Sequence, residues 1–356
     1  MDVSLELSLF KKKIDKEITQ FLDKEIEIIQ KKDALVVNAL QHTKSIILSG
    51  GKRIRSAMMY HGYLLSGGKD NEEIIRACVS MELIHAFLLI HDDVMDRDDF
   101  RHGKKTLHAF YSEYAQKLFP RKDCTHFGNA IAISLGDMLA ALGQKCLYES
   151  NFPPERIVFG LRHLQSVVSS TIIGQVKDIR MGFSSCIAKE KEVLAMYKNK
   201  TARYTFEGPL CLGSIFAGKG EDFLGHISSY AIPTGIAYQI QDDILGIYGN
   251  PTTIGKPIGS DLEEGKMTIL ISKAYELGNK LQKKNLMDIL GAPLNKENFS
   301  LAKEIIEETG SLAYARLMSS QLLREGEDAL KKISSKNNNS KDFLIAVSSF
   351  LSQRTV

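Results

Sequence analysis

Leu83-Ile84-His85-Ala86-Phe87-Leu88-Leu89-Ile90-His91-Asp92-Asp93-Val94-Met95-Asp96 is the stretch that decides how this chain folds. An apolar run without Gly or Pro leads directly into three carboxylates, which predicts a helix with an acidic end. On a helix Asp92 and Asp96 stand four residues apart on one face, with Asp93 about 100° round. Like charges at that spacing repel unless a cation neutralises them. Oxygen-only donors point to a hard ion, and so few per helix suit Mg²⁺ that keeps waters and shares its shell with a substrate phosphate. A solvated acidic helix end would explain one such cluster by itself.

A second cluster lies about 150 residues further on: Tyr238-Gln239-Ile240-Gln241-Asp242-Asp243-Ile244-Leu245-Gly246. Again an apolar helix, here over 229–247, ends in paired aspartates, with Gln239 reaching their face from three and four residues back. Basic residues accompany both ends. Ser49-Gly50-Gly51-Lys52-Arg53-Ile54-Arg55 breaks a long helical stretch over 5–48. It predicts a helix starting near Lys52, with Lys52 and Arg55 on one face at an anion-attracting N-terminus. Arg101-His102-Gly103-Lys104-Lys105-Thr106 reads as a basic loop after a helix over 72–99. Lys198-Asn199-Lys200-Thr201 falls in a later helical stretch. Lys256, Asp261 and Lys266 follow the second acidic end, in or after a loop crowded with Gly and Pro. Gln175 and Asp178, on a helix over 155–182, are spaced to face one site, although a surface polar pair explains them equally simply. Divalent ions held between two acidic helix ends would clamp a diphosphate and stabilise charge developing on a leaving pyrophosphate.

The remaining pattern is helical, with breaks near 120–128, 151–154, 291–293 and 336–340, and no strand-rich region or short repeat. The expectation is an all-α fold with residues 1–356 as a single domain. Hydrophobic residues at 44% and charged residues at 25% are ordinary for a soluble protein. A net charge of +3 is too small to argue for nucleic acid or for acidic membranes. Five scattered cysteines without a CxxC pair fit a reducing cytoplasm rather than a disulfide frame or a zinc site. The charged N-terminus does not read as a secretory signal, and the apolar runs are too short and interrupted to predict a membrane span.

Taken together, these motifs resemble the trans-isoprenyl diphosphate synthases, the polyprenyl synthetases. The residues that carry the resemblance are Gly50-Gly51-Lys52-Arg53-Ile54-Arg55, Asp92-Asp93-x-x-Asp96, Arg101-His102-Gly103-Lys104, Gly174-Gln175-x-x-Asp178, Lys200-Thr201, Gln239-x-x-Asp242-Asp243, Gly255-Lys256 and Gly265-Lys266. The resemblance implies helices packed round a central cavity and a homodimer. It also implies condensation of isopentenyl diphosphate onto an allylic diphosphate (dimethylallyl, geranyl or farnesyl). Carried over, Asp92, Asp96 and Asp242 are Mg²⁺ ligands, with Asp93 and Asp243 in support. Lys52, Arg55 and His85 contact isopentenyl diphosphate. Arg101, Lys200, Thr201, Gln239, Lys256 and Lys266 contact the allylic diphosphate. His85 agrees with helical arithmetic: seven residues before Asp92, it lies about 20° off that face and about 10.5 Å along the axis.

The chain departs from the family pattern at three places. His102 stands where a second arginine is usual, and is expected to contact isopentenyl diphosphate in its stead. Lys105 replaces Pro, and Gly246 replaces a third aspartate found in many members. Phe87 and Leu88, five and four residues before Asp92, are the positions that limit product length in the family. One aromatic there resembles geranylgeranyl synthases of archaeal type, so a C20 product is expected, with C15 or longer polyprenyl products as alternatives. On an ideal helix Leu88 lies about 40° from Asp92 but Phe87 about 140° away. A terpene cyclase or a non-catalytic subunit would share the fold. The paired Asp242-Asp243 and the basic residues near Gly51 argue against the first, and retention of both aspartate motifs against the second.

Overall fold

Helix follows helix along nearly the whole chain in the computed structural model, which describes residues 2–249, 258–335 and 337–352. The order is α1 (Val3–Ile29), α2 (Ala34–Ser49), α3 (Ile54–Leu65), α4 (Glu72–Asp96), the two-residue strands β1 (Phe100–Arg101) and β2 (Lys104–Lys105), α5 (Leu107–Leu118), α6 (Cys124–Tyr148), α7 (Pro154–Gly182) and α8 (Glu190–Tyr197). A π-helical segment (Lys198–Glu207) runs into α9 (Gly208–Phe216). Then come α10 (Glu221–Tyr248), α11 (Ser260–Glu263), α12 (Ile269–Leu277), α13 (Lys280–Ile289), α14 (Lys296–Glu308), α15 (Ser311–Lys332) and α16 (Asn338–Ser352). The all-α expectation holds.

The stretch expected as one helix over 5–48 is two helices. Asp33 accepts from the amides of Leu35 and Val36 and starts α2, which separates it from α1. In α1 the buried residues Leu7, Phe10, Ile14, Ile18 and Leu22 recur every three or four positions and lay one face on the core. α4 has no such single face. From Ile74 to Ile90 it is apolar nearly all round, because α1, α3 and α6 cover it. Asn71 caps its first turn, and Arg97, in the left-handed region at φ 59°, ends it at Asp96, three residues earlier than expected. The basic loop closes as a hairpin pairing Phe100 with Lys105 and Arg101 with Lys104.

α4 and α6 are both long and apolar enough to cross a membrane by composition alone. In α4, 72% of the apolar window is buried inside the fold, against 44% in α6. The two helices pack on each other, which gives α4 the role of a core helix. Two apolar clusters fill the interior. The larger is built on α1–α7, α9 and α16; the smaller on α8 and α11–α14. α10 belongs to both, with Ile227, Tyr230 and Ala237 in the first and Ile240, Ile244 and Ile247 in the second. The second acidic end therefore sits where the two clusters meet.

Candidate active site

Two lysines stand in the cavity that the end of α10 lines, and one of them reaches the end of α4. Lys266 Nζ lies 3.4 Å from Asp96 on α4 and 3.9 Å from Asp261 on α11, and also pairs with Glu264. Lys200 Nζ donates to Asp178 on α7 at 2.6 Å. Lys200, Lys266, Asp178, Asp242, Asp243 and Asp261 line one cavity of about 170 Å³. On the α4 side, Gln175 donates to Asp92 at 2.8 Å, so Gln175 and Asp178 both serve the site. Burial works against both ammonium groups. Asp178 and Asp92 outweigh it for Lys200, and Asp96 and Asp261 outweigh it for Lys266, so both stay firmly charged.

Each motif presents one aspartate and buries the next. Asp93 and Asp243 are each 4% exposed. Asp93 accepts from Arg101 Nε at 2.6 Å, and Arg101 also reaches Asp98 at 3.5 Å. Burial pushes Asp93 up to about 6 against the pull of Arg101. Asp243 takes a hydrogen bond from the Tyr197 hydroxyl and another, at 2.8 Å, from Gln239 Nε2. Burial, reinforced by Asp261, holds it well above the usual carboxylate range despite those two donors. Gln239 in turn accepts from the Thr201 hydroxyl at 2.6 Å. Asp242, beside it, is exposed. Where a third aspartate would stand, the space is taken: a Cβ on Gly246 would lie 3.0 Å from Asp261 Oδ2.

Lys200 and Thr201 are set by an unusual backbone. Within the helical stretch expected here, residues 198–207 form a π-helix, and π segments gather at functional sites. Two glycines let it sit deep. A Cβ on Gly174 of α7 would meet the Lys200 amide nitrogen at 2.5 Å, and one on Gly235 of α10 would meet Ala202 Cα at 2.5 Å.

A smaller cavity, about 60 Å³, lies along the face of α4 that carries Ala86, Leu89 and Asp93. His85, Arg101, His102 and the Gly50-Gly51 turn also border it. His102 has φ 50°, and its ring lies where a side chain on Gly50 would go, 2.4 Å from that missing Cβ. Burial, then Arg101 and Arg53, hold its imidazole below the ordinary value. Arg55 Nη1 is 3.1 Å from His85 Nε2, and the guanidinium stacks 4.6 Å from the centre of the Tyr204 ring. Burial, then Arg55, keep His85 well below its usual range, so it is neutral; its Nε2 accepts from Arg55 and its Nδ1 carries the proton.

One sequence expectation at the site changes. Helix α3 starts at Ile54, because Arg53 takes the left-handed conformation at φ 55°. Lys52 and Arg55 therefore do not share a helical face. Lys52 is exposed, 5.3 Å from the Phe350 ring of α16, whereas Arg55 turns to His85. Phe87 packs edge-on against His91, which bonds the Ile133 carbonyl of α6, so it stands on the α6 side of α4 and not on the Asp92 face. Leu88 is half-buried against the core. Lys256 lies outside the described residues. Arg53, set among basic neighbours, is a buried structural residue. It bonds Asp15 at 2.8 Å, Glu82 at 3.3 Å and the Ile47 carbonyl at 2.6 Å. Asp261, read with Lys266 after the second acidic end, lines the site, whereas Tyr197 joins it without any local sequence signal, since its partners are far away in the chain.

The donor set fits a hard divalent cation. Asp92 and Asp96 offer oxygens alone, and after burial it is the charge of Asp92 that raises Asp96, a repulsion that a cation would relieve. Among the described residues no three acidic, imidazole or thiol ligands gather at one point, so such an ion would complete its shell with water and substrate oxygens.

The sequence matches the polyprenyl synthetase family profile over residues 37–309. It is 33% identical over 305 residues to a short chain isoprenyl diphosphate synthase of Methanocaldococcus jannaschii, covering 85% of each chain. A geranylgeranyl diphosphate synthase of Sulfolobus acidocaldarius is 33% identical over 298 residues, covering 82% of this chain and 84% of that one. The fold superposes on a crystal structure of geranylgeranyl pyrophosphate synthase from Corynebacterium glutamicum complexed with isoprenyl diphosphate and magnesium. The TM-score is 0.92, the identity 28%, and both chains are covered completely. With both aspartate motifs, the two cavity lysines and the helical frame in place, the chain belongs to the polyprenyl synthetase family and is a prenyltransferase of isoprenoid biosynthesis.

Proposed function

We propose that the protein condenses isopentenyl diphosphate with an allylic diphosphate in the presence of Mg²⁺ and forms geranylgeranyl diphosphate, C20. The observation that carries this reading is that Lys266, which reaches Asp96 at the end of α4, lines one cavity with Lys200 and with Asp242 and Asp243 of α10. Lys200, Lys266 and Thr201 hold the allylic diphosphate, and Asp92, Asp96 and Asp242 hold the Mg²⁺ that screens it. Mg²⁺, when bound, supplies charge that weakens the allylic C–O bond. The bond's electron pair leaves with pyrophosphate, whose negative charge the two lysines stabilise. Arg55, His85 and His102 orient isopentenyl diphosphate so that its double bond attacks the allylic carbon. The proton then lost from the adjacent carbon goes to the departing pyrophosphate. Apolar residues below the motif keep water from the cation.

The C20 assignment is supported by the geranylgeranyl synthases among the relatives and by the single aromatic at Phe87. Two further readings belong with it. Residues 1–356 act as one domain, supported by α10 and α15 entering both apolar clusters. Two copies pair through α6 and α7, supported by exposed Ile133, Ile172, Ile173 and Val176. The test is incubation with Mg²⁺, isopentenyl diphosphate and each allylic primer, followed by chromatography of the dephosphorylated products. A C20 alcohol is expected. A hydrocarbon product, or none with any primer, overturns the reading.

A further inference from the structure

Three segments of the site meet at the hydroxyl of Tyr197. Tyr197 ends α8, three residues before Lys200, and is 1% exposed. Its O–H donates to Asp243 on α10. The same oxygen accepts from the backbone N–H of Ile269 at 2.8 Å, at the first residue of α12 and three residues after Lys266. Each segment thus carries one of the charged groups that line the larger cavity.

The contact also closes a ring. Asp243 accepts from Gln239, Gln239 accepts from Thr201, and the chain from Thr201 back to Tyr197 completes the circuit. That stretch of chain is where α8 passes into the π-helix that carries Lys200 and Thr201, so the ring ties the backbone beside Lys200 to α10. A phenylalanine would fill the same space but leave Asp243 Oδ2 and the Ile269 N–H buried without this partner.

We propose that Tyr197 is a positioning residue: through Asp243 and the Ile269 amide it sets Lys200, Asp242 and Lys266 against one another, and so tunes the grip on the allylic diphosphate. The inference rests on the function proposed above, since it takes the larger cavity as the allylic site. Isopentenyl diphosphate, assigned to Arg55, His85 and His102 at the other cavity, should feel it little.

The test compares wild type, Tyr197→Phe and Tyr111→Phe. Tyr111 is an equally buried tyrosine whose hydroxyl bonds Asn38 on α2, an element with no residue in the larger cavity. Tyr111→Phe controls for loss of a buried hydroxyl as such. Three quantities are measured: KM for each substrate with kcat, the affinity for inorganic pyrophosphate plus Mg²⁺ by titration calorimetry, and the melting temperature. Groups that orient a metal or anion site from behind typically change affinity or activity by about 10–100-fold. Tyr197→Phe should therefore raise the allylic KM and weaken pyrophosphate binding by roughly tenfold, leaving the KM for isopentenyl diphosphate within about twofold. Tyr111→Phe should change the melting temperature alone. If Tyr197→Phe does not fold, Ile269→Pro removes the other hydrogen bond at a helix position that accepts proline, and the same split is expected. Unchanged allylic KM and pyrophosphate affinity, or equal changes for both substrates, would overturn the proposal. A wild type that forms product without binding Mg²⁺–pyrophosphate at all would also overturn it. A wild type that forms no product would instead remove the functional reading on which it stands.

Discussion

The ends of α4 and α10 carry the same chemistry and secure it differently. In both, the second aspartate of the pair is buried and the first is presented, Asp92 beside Asp93 and Asp242 beside Asp243. At the α4 end the buried carboxylate is held by charge, through the Arg101 guanidinium. At the α10 end it is held by neutral donors, Tyr197 and Gln239. The α4 end is also tied outward, by Gln175 on Asp92 and Lys266 on Asp96. An ionised donor adds charge attraction to its hydrogen bond, whereas a neutral donor adds the hydrogen bond alone. The difference teaches that two similar motifs need not respond alike to pH or to loss of one contact.

The broadest test asks whether the presented aspartates are equal. Asp92→Ala and Asp242→Ala should each lower turnover by about a thousandfold or more, as expected for loss of a group that stabilises leaving charge. Steady-state rates with circular dichroism will show whether the helical fold persists. A near-normal rate in either variant would break the symmetry.

The anchors should part company in stability. Arg101→Gln leaves Asp93 buried without its main counter-charge, at a cost of roughly 3 kcal/mol. The sign with pH follows from the raised carboxyl. Folded Asp93, near 6, binds its proton more tightly than the unfolded group near 3.8. Its contribution is complete below the lower value and declines as pH rises through the upper one. Without Arg101 the folded value rises further, so the deficit of the variant should grow from pH 5 to pH 8 in metal-free melts. Tyr197→Phe removes a hydrogen bond but no counter-charge, so its deficit should grow less over the same range than that of Arg101→Gln.

Below the α4 end, Phe87→Ala should lengthen the products beyond C20. Because Phe87 lies toward α6, the effect requires the cavity bottom to open there. An unchanged product distribution would assign Phe87 to core packing alone.

The smallest effect concerns His102. Burial, then Arg101 and Arg53, hold it below 6.5, so in the free protein it is neutral at pH 7 and gains charge only as the pH falls. Apparent affinity for isopentenyl diphosphate should therefore improve a few-fold as pH falls below the ordinary histidine range, and His102→Arg should flatten that dependence. The allylic KM should follow the same profile in both proteins. Superimposable isopentenyl diphosphate profiles would remove His102 from the site.

The sequence by itself determined the helices, their acidic ends and which residues carry charge. Apolar spacing in α1 and the Gly- and Pro-free run of α4 are local properties, and local geometry sets a helix and its faces. The acidic ends were legible because two of them, each accompanied by basic residues, are more specific than one, which solvation alone would explain. Only the tertiary structure decided which charges serve the site. Arg53, between Lys52 and Arg55, turns inward to Asp15 and Glu82, because one left-handed residue redirects the chain there. Tyr197 reaches the site through bonds to residues 46 and 72 positions away. Asp261 fills the space beside Gly246 from a different helix. Period and composition carry no record of such contacts, since a hydrogen bond across the fold depends on where two helices pack and not on the residues next to either partner in the chain.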